Sequence, residues 1–156
     1  MKQYDTMVNE SYIDVTTLIN VVRELALSDL GLNNETTLYI IDENLAYHVD
    51  GTTKHGLGGY IQYVGINMDQ SINRMIETIF HESRHVWQIR TYKRYMERLT
   101  QKKLNGKGPK TFLQYWFQPI EIGARLYAKH AMKKYARTIE KIIYDYSHGQ
   151  LEEKLY

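Results

Sequence analysis

Apolar residues recur at helical spacing near the start of the chain, where Val15, Leu18, Ile19, Val22, Leu25 and Ala26 share one helix face. Ser11 with Asp14 has the form of a capping box and Gly31 is a stop signal, so a first helix is expected over about Ser11 to Leu30. The run from Thr36 to Asp42 is short and rich in Thr, Tyr and Ile, which predicts a strand. A second short strand is expected over Leu45 to Val49, closed by a turn at Asp50-Gly51. Gly56, Gly58 and Gly59 then predict a loop, and Tyr60 to Met68 reads as a further strand. From Ser71 the period becomes helical: Ile72, Met75, Ile76, Ile79, Phe80, Val86 and Trp87 form one broad apolar face, predicting a helix that lasts to about Leu99. Asn105-Gly106-Lys107-Gly108-Pro109 breaks the chain, and Pro119 suits the first turn of a last helix reaching about Tyr146. The expected fold class is α+β: an N-terminal helix, a small mainly antiparallel sheet, a long helix and a C-terminal helix.

A chain of 156 residues fits one domain, residues 1–156, with a core large enough to stand without disulfides or a structural metal. Cysteine is absent, which excludes disulfides, thiolate ligands and a cysteine nucleophile, and leaves nitrogen and oxygen ligands for any metal. No stretch approaches 18 consecutive apolar residues, and Met1 to Glu10 lacks a basic segment followed by an apolar one. A cytoplasmic protein without membrane contact is the expectation. The net charge of +2 hides an asymmetry: residues 1–83 carry 4 Lys+Arg and 12 Asp+Glu (−8), and residues 84–156 carry 16 and 6 (+10).

Inside the long helix stands His81-Glu82-Ser83-Arg84-His85. Histidines four residues apart lie one turn apart on the same face, so both imidazoles can reach a single Zn²⁺. Glu82 is adjacent to the first ligand and is expected to act as general base toward a water rather than as a ligand. A third ligand is still required. A histidine six residues after His85, as in metzincins, is excluded because that position is Thr91, and the glycine expected there at position 88 is Gln88. Glu121, at the start of the last helix between Ile120 and Ile122 and followed by Gly123 and Ala124, is the preferred candidate, with His130, His55 and Asp69 as alternatives.

The pattern His81-Glu82-x-x-His85 followed by Glu121-x-x-Ala124 resembles the gluzincin peptidases, and among them the small minigluzincin and ImmA/IrrE-like branches. The resemblance covers about residues 60–130. It implies a zincin-like fold, a zinc site of two histidines and one glutamate, and an edge strand before the motif helix that pairs with an extended peptide substrate. Tyr60, Gln62, Val64 and Ile66 on the strand Tyr60 to Met68 are the residues it assigns to that role. Larger gluzincins carry an acidic residue four positions after the ligand glutamate to orient a histidine. Here that position is Arg125. For the oxyanion donor that the larger enzymes place downstream, Tyr127 and His130 are the candidates.

Nine basic residues between Arg84 and Lys110, interleaved with Trp87, Tyr92 and Tyr95, form either the solvated face of an amphipathic helix or a groove for nucleic acid. Two functions follow. One is a zinc-dependent peptidase; the other is a non-catalytic protein on the same scaffold that grips nucleic acid or an acidic protein through its basic C-terminal half. The intact Glu82 favours the first, since a binding module needs no general base.

Overall fold

The computed structural model describes residues 4–32, 37–41, 45, 49–55 and 62–149, with side chains from Val15 onward except that of His55. Along the chain run α1 (Tyr4–Asp29), β1 (Thr37–Ile41), β2 (Gly51–His55), β3 (Gln62–Ile66), α2 (Ile72–Thr91), α3 (Lys93–Leu104), α4 (Phe112–Trp116), α5 (Pro119–Lys134) and α6 (Ala136–Ser147). The class is α+β, as expected. The sheet is mixed rather than mainly antiparallel: its order is β1-β3-β2, with β1 parallel to β3 and β2 antiparallel to it.

Helix α1 buries Val15, Leu18, Ile19, Val22 and Ala26, the predicted stripe, and ends at Gly31, where Leu32 N–H reaches Leu27 O at 2.8 Å. Its start lies earlier than expected. Ser11 and Asp14 fall inside the helix rather than at its start. Helix α2 starts as predicted: the Ser71 hydroxyl accepts the Arg74 N–H at 3.3 Å. Its face of Met75, Ile76, Ile79, Phe80 and Val86 packs into one core with α1, with Val64 and Ile66 of β3, and with Ala128 and Ala131 of α5. Alanines at 124, 128 and 131 keep one side of α5 small, which lets this helix lie close against α2.

Both long helices expected from periodicity are interrupted at a tyrosine. The chain leaves helical geometry at Tyr92 (φ −115°, ψ 42°), so the helix expected to reach Leu99 becomes α2 and α3. It leaves it again at Tyr135 (φ −104°, ψ 18°), dividing the last helix into α5 and α6. At each break the ring is engaged. Tyr92 packs edge-on against Trp87 at 5.5 Å, and Tyr135 stacks on Phe80 at 6.2 Å while its hydroxyl donates to Asp29.

The expected second strand falls mostly outside the described residues, and Gly51, expected in a turn, opens β2 instead. Tertiary bonds override the Asp50-Gly51 turn signal. Asp50 O accepts from Asn67 N–H at 2.9 Å and from Gln70 Nε2 at 3.1 Å, and Arg74 grips the Asp50 carboxylate at 2.7 and 3.0 Å. The glycine loop at 56–59 also lies outside the described residues.

Candidate metal centre

The first turns of α5 meet the middle of α2, and this crossing brings the three predicted ligands together. His81 and His85, one turn apart on α2, have their Nε2 atoms 3.1 Å apart. Glu121, in the first turn of α5 behind Pro119, places Oε2 at 3.3 Å from His81 Nε2 and Oε1 at 3.4 Å from His85 Nε2. Three ligand atoms, one from each residue, lie within 4.8 Å of one another. Ligand atoms about 2.0–2.1 Å from a tetrahedrally coordinated ion are about 3.3–3.4 Å apart, and each imidazole stands at that distance from one of the two Glu121 oxygens, close enough for the three residues to share an ion.

The chemistry of the donors points the same way. Gln88 Nε2 donates to Ile120 O at 2.9 Å, which leaves its Oε1 to accept from His85 Nδ1 at 2.8 Å. Neutral His85 is thereby the Nδ1–H tautomer, and its Nε2 lone pair faces the Glu121 carboxylate. Two electron-rich atoms in that position repel unless a proton, such as one on the neighbouring His81 Nε2, or a cation offsets them. Burial lowers the pKa of His85, but the Glu121 hydrogen bond and the charges of Glu82 and Glu121 outweigh it and the net shift is upward. Burial likewise raises that of Glu121, but bonds from His81, His85 and Tyr115 hold the carboxyl well below its usual range. Both shifts follow from how close the imidazoles and the carboxylate lie to one another.

Glu82 is buried beside the cluster but bonded elsewhere: Thr53 Oγ1 of β2 donates to its Oε2 at 2.6 Å. Ser83, between the motif residues, turns into the core, where it pairs with Tyr39 at 2.6 Å and donates to Ile79 O at 2.6 Å. Arg84 lies over the Trp87 ring at 3.7 Å. Glu82, His85 and Glu121 line one cleft of about 500 Å³, which Gly51, Thr52 and Thr53 of β2 border on one side.

Neither family models, curated proteins nor solved structures match this chain. The site therefore stands on its own geometry.

Several expected site residues lie elsewhere. The Tyr127 hydroxyl donates to Asp29 at 3.0 Å, in a cluster with Lys134 and Tyr135 that ties the end of α1 to α5 and α6. His130 and Asp69 are exposed and outside the ligand cluster, and the His55 side chain lies outside the described residues. The expected edge strand is the centre of the sheet: β3 is paired on both sides, and Val64 and Ile66 point into the core. Gln62 is buried and accepts from Arg90 Nε at 3.1 Å, while Tyr60 lies outside the described residues.

Three residues with evident roles were missed. Gln88 supplies the partner for a ligand histidine that Arg125 cannot; Arg125 instead donates to Trp116 O and stacks on the Trp116 ring at 3.7 Å. Gln88, three residues after His85 on the same helix face, is a readable signal. Tyr115 of α4 lines the same cleft as Glu121, and its hydroxyl pKa is pushed up by burial and by that carboxylate. Thr53 holds Glu82. Neither Tyr115 nor Thr53 has a local sequence signature, since each reaches the site through tertiary packing.

Proposed function

We propose that this chain is a zinc-dependent peptidase. The observation that carries the reading is the convergence of two imidazoles and one carboxylate on a common point, with a further carboxylate, Glu82, beside them but bonded by Thr53. Three nitrogen and oxygen ligands, rather than four, are the ligand count of hydrolytic zinc sites, and the donor set suits zinc. When bound, zinc supplies Lewis acidity that polarises a peptide carbonyl and makes water a usable nucleophile near neutral pH.

The chain's own residues divide the remaining work. Glu82, held at one oxygen by Thr53, takes a proton from the attacking water and returns it to the leaving amine. Gln88 fixes the tautomer and orientation of His85, and the Tyr115 ring borders the cleft beside Glu121. Among the described residues, strand β2 is bonded to β3 on one side only and borders the cleft, so an extended peptide can add along its other edge.

Glu82→Gln tests the reading. It should keep metal binding and folding while lowering peptide hydrolysis about 10² to 10⁴-fold, measured by mass spectrometry on a mixed peptide library. Undiminished hydrolysis by the metal-loaded variant would remove the general-base role.

A further inference from the structure

Part of the cleft's lining is cationic. Lys102 and Lys103, in the last turn of α3, and Lys107, just beyond it, line the same cavity as Glu82, His85 and Glu121. Lysines at a helix C-terminus are favoured by its dipole, which accounts for the first two but not for the third. Lys107 is brought there by a built turn. Gly106 takes φ 68°, Gly106 N–H reaches Lys103 O at 3.1 Å, and Lys107 N–H reaches Lys102 O at 2.8 Å. Gly108 then lies so close to the helix that a Cβ there would meet Lys103 Cγ at 3.0 Å. Among the described residues, none of the three lysines has a carboxylate within ion-pairing distance. The carboxylates that line the cleft are Glu82 and Glu121, which belong to the ligand-bearing helices α2 and α5.

We propose that Lys102, Lys103 and Lys107 select an acidic peptide segment, so that the cleft takes extended chains with Asp or Glu on one fixed side of the bond presented to Glu82. This substrate class rests on the peptidase reading. A cationic wall without counter-ions draws anionic ligands through its field and rejects cationic ones. A peptide fits better than a nucleic acid. The lining carries two carboxylates that oppose a phosphate chain, and β2 offers a row of backbone groups that an extended peptide can pair with along its length.

The test uses zinc-loaded full-length protein carrying Glu82→Gln, so that binding is read without turnover. Fluorescence anisotropy compares a short labelled peptide with Glu at alternate positions, the same peptide with Gln in their place, and a thymidine oligonucleotide of equal charge. The acidic peptide should bind about tenfold tighter than its neutral twin, and the advantage should shrink with added salt. Lys102→Gln, Lys103→Gln and Lys107→Gln together should abolish the advantage, and the three Lys→Arg changes should keep it. Equal binding of the two peptides, a preference that survives the triple Gln variant, or displacement of the acidic peptide by the oligonucleotide would overturn the proposal. The protein with Glu82 intact is then given a mixed peptide library. Acid preference in binding without any cleavage would defeat the peptidase reading and leave the acid-binding cleft standing. Cleavage with no enrichment of Asp or Glu beside the cut bonds would do the reverse.

Discussion

His85 depends on two neighbours, and each sets a different property. Gln88 holds its Nδ1 proton at 2.8 Å and so decides which nitrogen is free to bind a metal. Gln88→Ala frees the ring to turn and to exchange tautomers, and should weaken metal affinity about 10–100-fold in a competition titration with a chelator, with the helix intact by circular dichroism. An unchanged affinity would mean that packing alone orients the ring. Glu121 sets the charge of the metal-free site. The raised pKa of His85 contributes stability that is fully present below the ordinary 6.5 and is lost as pH rises through the higher folded value. The depressed pKa of Glu121 contributes stability present above the ordinary 4.5 and lost as pH falls through its folded value. Metal-free protein should therefore melt higher near pH 5.5 than at about pH 8. Added zinc competes with the proton on His85, so it should raise Tm most at the higher pH. Thermal scans in chelator and in zinc at the two pH values check both signs; a metal-free protein that melts no lower at the higher pH contradicts the linkage.

At the scale of elements, the approach of β2 to α2 positions Glu82, and Gly51 permits it. A Cβ at Gly51 would meet Thr78 Cγ2 at 2.6 Å, Glu82 Cγ at 3.0 Å and Gly65 O at 3.2 Å. Gly51→Ala should cost about 1–3 kcal/mol by urea unfolding, as overpacking does, and should lower hydrolysis by displacing Thr53 from Glu82. Wild-type stability and activity in that variant would show that the two elements separate at no cost. The same strand marks where local reading of the sequence stops working. The stripes of α1 and α2, the Ser71 cap and the Pro119 start are short-range patterns, and they were legible. So were His81, Glu82 and His85, whose spacing is helical geometry, and Glu121, which stands at a readable helix start. The position of β3 was not, because a strand's place in a sheet depends on partners distant in sequence: β1 and β2 enclose it, so its alternating residues face the core. The breaks at Tyr92 and Tyr135 escaped for a similar reason. Neither is a glycine or proline; each ring makes an aromatic contact, with Trp87 or with Phe80, that local sequence does not signal.

Taken whole, the molecule brings its two oppositely charged parts together at the cleft. The part at −8 holds α1, the sheet and the start of α2 with His81 and Glu82, and the part at +10 supplies His85, Glu121 and the lysines of α3. The ligand cluster thus joins both halves of the sequence, and binding an ion there should also stabilise the crossing of α2 and α5. No helix among the described residues is long and apolar enough to cross a membrane. The central claim is that His81, His85 and Glu121 hold one metal ion, and elemental analysis after zinc loading and exhaustive dialysis tests it most directly. One zinc per chain is expected in the wild type and in Glu82→Gln, with none in the His81→Ala, His85→Ala double variant and a marked loss in Glu121→Gln. Full occupancy in the double variant, or no retained zinc in the wild type, would contradict the account.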